Sequence, residues 1–242
     1  MVKYTHLSAL VVTVVLAPAC GGHEEPVKAP DPVPTTTTAH TGPKLNMQSE
    51  LGSIDDRAVQ KTFERITPAF ESCKKVAQKH LSFVAGDVAF FIRVGTDGKV
   101  KYSYFEQSTL GDSEAERCLL DAVDGAQWPV PEGGEAEVRY KGYGFDLDPN
   151  VRGPFDWNAD KVAASLGKHK DALDKCTGSA SSVKFTVTAY VEPAGKEGKV
   201  QAAGVAVSAK EGVPQVKCVL DAVKSIKMPS PGSYAAKVTF AL

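Results

Sequence analysis

The chain carries the phrase RCLLDAV at residues 117–123 and repeats it as KCVLDAV at residues 217–223. Each copy then reaches a Pro-x-Pro after the same interval, at residues 129–131 and 229–231. A period of 100 residues is the length of a small domain and far longer than the unit of a solenoid repeat. The sequence therefore predicts two copies of one fold.

The duplication extends upstream to an amphipathic helix in each copy. Both helices carry five residues at the spacing i, i+4, i+7, i+11 and i+14, which places them on one helical face. Both stripes end on a cysteine. The first stripe consists of Val59, Phe63, Ile66, Phe70 and Cys73, and the second of Val162, Leu166, His169, Leu173 and Cys176. Pro68 lies inside the first pattern, and we expect a kink or a new helix start after Thr67.

Two strand-like runs follow the helix in each copy. In copy one they span residues 88–94 and 99–105, joined by Gly95-Thr96-Asp97-Gly98, which is typical of a tight hairpin. In copy two they span residues 183–191 and 199–207 and are joined by a longer turn. A second helix carries the cysteine phrase. It is followed by a last strand, at residues 136–145 in copy one and 235–242 in copy two.

The predicted fold class is therefore α+β. Each copy reads helix, strand, strand, helix, strand, an order that gives a small antiparallel sheet with its helices on one face. Ser113 and Glu116 have the spacing of a capping box at the start of the second helix of copy one. Glu114, Glu116 and Asp121 are interpreted as the solvated face and cap of that helix.

Four of the five cysteines occupy equivalent places in the two copies. The simplest pairing is one disulfide within each copy, Cys73 with Cys118 and Cys176 with Cys218. Each bond would close a ring of about 45 residues and add roughly 4 kcal/mol of stability in the chain-entropy model. Buried thiols are the alternative, but disulfides agree with the export signal described next.

The first residues predict export. Lys3 precedes an apolar run at residues 7–19, which is too short to cross a bilayer and fits the core of a signal peptide. The sequence Ala-Pro-Ala at residues 17–19 leaves two interpretations open. Ordinary signal peptidase would cut after Ala19, whereas a bacterial lipobox would make Cys20 the lipidated first residue. Cys20 is the odd cysteine, and lipidation accounts for it.

Five segments are predicted along the chain. Residues 1–19 form a signal peptide, and residues 20–50 form a lipid-anchored, disordered tether rich in proline and threonine. The first domain spans residues 51–148 and the second spans residues 158–242. Residues 149–157 are interpreted as the linker between them.

The two copies differ in charge although the whole chain is nearly neutral, with a net charge of −1. Residues 51–150 contain 12 basic and 17 acidic residues, a net charge of −5. Residues 151–242 contain 13 basic and 8 acidic residues, a net charge of +5. The copies could dock on each other, face different partners or simply differ in their solvated surfaces. A nucleic-acid partner is not indicated.

No motif indicates an enzyme, a metal or another cofactor. There is no Cys-x-x-Cys, and no histidine recurs beside the cysteine pairs, which argues against zinc and against a thioredoxin-like site. Asp146, Asp148 and Asn150 begin like a calcium loop, but Val151 stands where such a loop needs glycine. His169, in the place of Ile66 on the helical stripe, is interpreted as a partly buried structural histidine. We therefore predict no catalytic residues, no metal site and no cofactor.

Several segments of copy one support a resemblance to a known family. They are Gly86-Asp87-Val88, Gly98-Lys99-Val100, the loop at residues 108–112, Cys118 and the run from residue 128 to residue 134. Together they resemble the AgmX/PglI C-terminal domain of myxobacterial envelope and gliding-motility proteins, which is related to TonB C-terminal domains. Copy two is a degenerate version that keeps the cysteines, Gly-Lys-Val and Pro-x-Pro.

The resemblance implies a periplasmic interaction module. In TonB-like domains the last strand accepts a partner segment at the sheet edge, so that backbone hydrogen bonds supply affinity and alternate side chains supply specificity. The partner-binding residues implied here are Val138, Tyr140, Tyr143, Val238 and Phe240.

The function expected from the sequence is therefore a non-enzymatic scaffold of a bacterial cell envelope. It would be lipid-anchored, in the outer membrane and facing the periplasm, and would recruit envelope proteins in motility, trafficking or outer-membrane assembly. The alternative is a surface lipoprotein that binds a small ligand or a glycan.

Overall fold

The computed structural model describes residues 51–242, which belong to one compact unit that contains both repeats. The predicted signal peptide, Cys20 and the tether lie outside the described residues. The fold class is α+β, with two sheets and helices packed on them, as the sequence predicts. Within residues 51–242, no helix has the length and apolar character needed to cross a membrane.

The first repeat has the predicted order of elements. Its helices are α1 (Asp56–Gln78) and α2 (Ser113–Asp124), and its strands are β1 (Gly86–Val94), β2 (Val100–Ser108) and β3 (Ala136–Phe145). The strands form an antiparallel sheet in the order β2-β1-β3.

The second repeat follows the same order with two additional short strands. Its helices are α3 (Asp160–Lys168), α4 (Lys170–Thr177) and α5 (Val216–Ser225), with short 3-10 helices at Gly178–Ala180 and Lys210–Gln215. Its strands are β4 (Phe155–Trp157), β5 (Phe185–Ala194), β6 (Glu197–Val207), β7 (Lys227–Pro229) and β8 (Ala236–Ala241). They form one sheet in the order β4-β8-β5-β6-β7, in which β4 pairs with β8 in parallel.

The helical stripes point into the cores as their spacing predicts. All five stripe residues of α1 are buried, whereas in the second repeat Leu166 and His169 are only partly buried. The new helix start expected after Thr67 is wrong, because α1 continues through Pro68 as one helix. The interruption falls in the second repeat, where His169 separates α3 from α4.

Each repeat contains the predicted disulfide. Cys73 of α1 is bonded to Cys118 of α2, and Cys176 of α4 is bonded to Cys218 of α5. The Cα atoms of the two pairs lie 5.5 Å and 5.4 Å apart. Each bond joins the two helices that cover one sheet, and therefore holds the helical layer of its repeat together.

The two repeats pack through equivalent elements. Strand β2 lies against β6, its counterpart in the second repeat, and α2 also contacts β6. The contact is largely apolar. Tyr190 packs in the core of the first repeat, and Phe91 and Tyr104 pack in the core of the second. Among residues 51–242 no ion pair joins the repeats. Their opposite net charges are therefore not expressed as direct salt bridges at this contact.

Candidate functional site

Strand β3 is an edge strand of the first sheet. It pairs with β1 along its whole length, and no other strand among the described residues lies on its outer side. The chain at residues 51–53 approaches only the loop before it, through bridges to Glu132 and Glu135. Within the described part of the chain, the outer backbone of Ala136–Phe145 therefore has no strand partner and could pair with an extended segment.

The side chains predicted to bind a partner at β3 face the protein's own core. Val138 is 5% exposed, and Tyr140 stacks on Phe63 of α1 with ring centroids 3.7 Å apart. The Tyr143 ring packs on Phe70, and its hydroxyl donates to Glu71 at 3.3 Å. A partner could therefore contact the partly buried Tyr140 and Tyr143 side chains, but it could not contact the buried Val138 side chain.

The opposite face of β3 is charged. Arg139 donates to Glu106 of β2 and to Glu137, each at 3.0 Å, and its guanidinium lies 4.7 Å from the centre of the Phe91 ring. The ion pairs continue across the sheet from Glu137 to Arg93 and onward. The connected residues are Glu106, Arg139, Glu137, Arg93, Glu135 and Lys101. Lys141 is exposed at the end of this row.

The corresponding strand of the second repeat is partly covered. Strand β4 pairs with the first half of β8, from Ala236 to Val238, so that the chain itself occupies that edge. Val238 and Phe240, both predicted to bind a partner, are 1% and 4% exposed and belong to the core. Residues 155–157, which the sequence assigned to the linker, thus form a strand of the second sheet.

Glu116 lies buried between the repeats and is not on a solvated helix face. Its carboxylate accepts hydrogen bonds from the Ser108 hydroxyl at 2.5 Å and from the Val205 backbone N–H at 3.1 Å. The residue that caps α2 is Asp112, which accepts from Ala115 N at 2.8 Å, and not Ser113. Glu114 and Asp121 are exposed, as predicted for that helix face.

Burial raises the pKa of Glu116 to about 7. The hydrogen bonds from Ser108 and Val205 act in the opposite direction, and the nearby Asp112 raises the pKa further. Because the residue is removed from water and no basic side chain pairs with it among residues 51–242, its charged form is costly. Glu116 therefore changes charge near neutral pH.

Further hydrogen bonds connect the repeats, among them three to the backbone oxygens of Ser108 and Ala85. Thr188 donates to the backbone oxygen of Ser108 at 3.2 Å. The Tyr190 hydroxyl and the Lys237 ammonium both donate to the backbone oxygen of Ala85, at 3.1 Å and 2.7 Å. Burial lowers the pKa of Lys237. These contacts satisfy the backbone at the end of β2 and before β1, and so define one relative position of the two sheets.

A cleft of about 500 Å³ opens between the equivalent helices α2 and α5. Phe105 and Tyr104 of β2 and Val205 and Val207 of β6 line it together with residues of both helices. Glu116 also lines the cleft. This volume and mainly apolar lining are typical of sites that bind a small molecule.

A histidine and a carboxylate lie in contact near the start of α2. His80 Nε2 lies 2.6 Å from Asp112 Oδ2, but the same aspartate caps α2, which gives the pair a structural role. Within residues 51–242 no group of histidines, cysteines and acidic residues is arranged to hold a metal ion. His169 Nδ1 donates a hydrogen bond to the Ser165 backbone oxygen, 2.9 Å away, at the break between α3 and α4.

Sequence reasoning missed the inter-repeat contact. Glu116 has the spacing of an ordinary capping residue, and only its position opposite β6 shows that it is buried. In the structure, Gly204 and Gly111 lie where the repeats meet. A Cβ on Gly204 would overlap the Glu116 carboxylate, and one on Gly111 would lie 2.9 Å from Thr188 and Tyr190.

No protein-family model, no curated protein and no solved structure matches this chain.

Proposed function

We propose that this protein is a non-enzymatic, lipid-anchored scaffold of a bacterial cell envelope that binds an extended partner segment at the outer edge of β3. The unpaired edge of β3 carries this proposal. Ten residues of strand with one side unoccupied can accept an added strand through backbone hydrogen bonds, a recurring mode of peptide recognition.

The chemistry of β3 supports selective binding over general aggregation. Gly142 has a φ of +92° and interrupts the register between β1 and β3, and such bulges limit unselective pairing at sheet edges. Glu137, Arg139 and Lys141 alternate along one face of the strand, so an added strand would need compatible charges opposite them.

The asymmetry of the repeats supports assigning this role to the first repeat. Strand β4 occupies the first half of the β8 edge, which leaves only a short segment there unpaired. In the first repeat no strand among residues 51–242 takes the same position. The second repeat would then act as the support on which the first is mounted.

Site-specific photo-crosslinking in the native cells tests this proposal. A photoreactive amino acid would replace Lys141, which is exposed on β3, and in a matched variant Ala241, its counterpart on β8. A third variant would carry it at Lys196, an exposed residue of the β5–β6 turn. We expect one defined protein to crosslink at Lys141 in far greater yield than at Ala241 or Lys196.

Hydrogen exchange with the purified partner then identifies the mode of contact. Addition of a strand should slow exchange of the outward-facing amides of residues 136–145 and leave α5 unchanged. Protection confined to residues around the inter-repeat cleft, or equal crosslinking at all three positions, would show that the β3 edge is not the binding surface.

The lipid anchor has its own test. Growth with an alkyne-bearing fatty acid should label the wild-type protein. The labelled protein should leave the membrane only when detergent is added, because several acyl chains anchor a protein stably. The Cys20→Ser variant should lose both the label and the membrane association. Normal membrane association without label would instead favour cleavage by ordinary signal peptidase and attachment through a partner.

The inter-repeat cleft favours a second candidate, the binding of a small ligand. Its lining is mainly apolar, which suits an apolar ligand better than a glycan. Leu220→Trp would fill the cleft from α5. If this variant loses saturable ligand binding while crosslinking at Lys141 is unchanged, ligand binding is separate from strand binding.

A further inference from the structure

The two disulfides differ in their access to solvent. In the first repeat Cys73 is fully buried and Cys118 is partly buried. In the second repeat Cys176 is 6% exposed, but Cys218 is exposed. Because thiol–disulfide exchange requires the attacking thiolate to reach a sulfur, exposure makes the second bond the more reactive one.

The second disulfide also lines an open cavity of about 880 Å³ between α4 and α5. Both cysteines contribute to its wall, so a small molecule in the cavity contacts the bond. The cavity lies beside His169, where the first helix of the repeat is interrupted. Helix α1 has no such interruption.

Basic side chains exceed acidic ones around this cavity. Lys168, Lys175, Lys217 and His169 line it together with Asp171 and Asp221, and Asp221 is already paired with Lys217 at 2.6 Å. The counterparts of His169 and Lys175 in the first repeat are Ile66 and Ser72, whereas Lys168 and Lys217 correspond to Arg65 and Arg117, so two of the four basic wall residues are particular to the second repeat. The repeat as a whole carries a net charge of +5.

We infer that Cys218 is a site of mixed-disulfide formation with small anionic thiols. The thiolate sulfur attacks Cys218 Sγ, a new sulfur–sulfur bond forms, and the bond to Cys176 breaks. Cys176 leaves as a thiolate, which Lys175 and Lys168 stabilise or which takes up a proton from water. A second thiolate that attacks the adduct completes a two-electron reduction of the bond, and the two small thiols become a disulfide.

The expected co-reactant is anionic because it must pass the lysines of the cavity wall. A carboxylate on a thiol concentrates it near this surface at low ionic strength, whereas an ammonium group is repelled. The first disulfide serves as an internal control, because it joins equivalent helices in the same molecule without an exposed cysteine and without counterparts of Lys175 and His169.

Exchange kinetics on the folded full-length protein test the inference. The probes are 3-mercaptopropionate, 2-mercaptoethanol and cysteamine, which are anionic, neutral and cationic. Each rate is divided by the rate of the same thiol with bis(2-hydroxyethyl) disulfide, which removes differences in intrinsic nucleophilicity. After acid quench and alkylation, peptide mass mapping identifies the modified cysteine.

We expect adducts on Cys218 and reduction of the second disulfide at least roughly tenfold faster than the first. The normalised rates should fall in the order anionic, neutral, cationic. Lys168→Gln combined with Lys175→Gln should reduce the anionic preference about threefold. The matched variant Lys196→Gln with Lys199→Gln, which removes the same charge from the β5–β6 turn and the start of β6, should leave it unchanged.

Four results would overturn the inference. They are comparable reduction of both bonds, adducts on Cys176, normalised rates that are independent of thiol charge, and absence of exchange at either bond in the folded protein. Circular dichroism before quenching ensures that the rates describe the native state.

Discussion

The carboxylate of Glu116, on helix α2 of the first repeat, accepts a hydrogen bond of 3.1 Å from the backbone N–H of Val205, on strand β6 of the second. The repeats are thus joined by an ionisable group that has been removed from water. Gly204 permits the approach, because any side chain there would occupy the position of the carboxylate. The stability of the compact unit should depend on the protonation of this one residue.

Replacement of Glu116 by Gln should remove a pH dependence of stability. The folded pKa of about 7 lies above the ordinary value of 4.5, so the folded state binds the proton more tightly. This contribution is complete below about pH 4.5 and is lost as the pH rises through 7. At pH 8 the wild type should be less stable than Glu116→Gln by up to about 3 kcal/mol. Urea unfolding at pH 5 and pH 8 measures the difference.

The control is Glu116→Ala, which leaves the Val205 N–H without its acceptor and should destabilise the protein at both pH values. A wild-type minus Glu116→Gln difference that does not change between pH 5 and pH 8 would contradict the raised pKa.

Gly111→Ala should disturb the contact between the repeats. Gly111 has a φ of +71°, and an added Cβ would lie 2.9 Å from Thr188 Cγ2 and from the Tyr190 ring. Gly142 has a φ of +92° with nothing within 4 Å of an added Cβ, so Gly142→Ala carries the backbone strain alone. The backbone term should cost about 1–2 kcal/mol in each, and Gly111→Ala should cost more. Equal thermal unfolding of the two variants would argue against close packing at Gly111.

Removal of either disulfide should destabilise the protein by a similar entropic amount. The two bonds join cysteines that are 45 and 42 positions apart in the sequence. For rings of this size the chain-entropy model gives about 4 kcal/mol each. Cys73→Ala with Cys118→Ala should cost somewhat more than Cys176→Ala with Cys218→Ala, because Cys73 is fully buried and loses packing as well. Denaturant unfolding of the two double variants gives the comparison, and a larger loss for the second pair would contradict it.

Phe155→Pro should release β4 from the edge of β8. The backbone N–H of Phe155 donates to Ala235 O at 2.9 Å, and proline lacks this donor. Loss of the bond should cost about 1 kcal/mol and speed amide exchange at residues 236–238. Phe155→Ala keeps the N–H and serves as the control. If both variants exchange at the wild-type rate, β4 does not protect this edge in solution.

Elements with a strong local pattern were predictable from the sequence. The stripe ending at Cys73 is buried along one helix, and the last strand of the first repeat occupies Ala136–Phe145 as predicted. The cysteine pairing was also predictable, because a duplicated helix pair places equivalent residues at equivalent positions. Three-residue strands such as β4 escaped prediction, since an alternating pattern is recognised only over four or more residues.

Side-chain environment was less predictable than the elements themselves. Glu116 was assigned to solvent because α2 was considered without a neighbour, and the neighbour lies 89 positions away along the chain. Val138 and Val238 were assigned to a partner surface, yet both complete the core beneath their own helices. In both cases the sequence pattern separated the two faces of the helix or strand. It did not show which neighbouring element covers each face.

The sequence by itself determined that the chain contains two copies of one α+β unit, each with a helix pair held by a disulfide, because periodicity, turns and cysteine spacing act over short distances. Only the tertiary structure decided that the copies meet through β2 and β6, that Glu116 is buried there, and that β4 covers part of β8 while no described strand covers the outer edge of β3. These features depend on which surfaces exclude water from one another. That choice is made by contacts between residues about 100 positions apart, which no local pattern encodes.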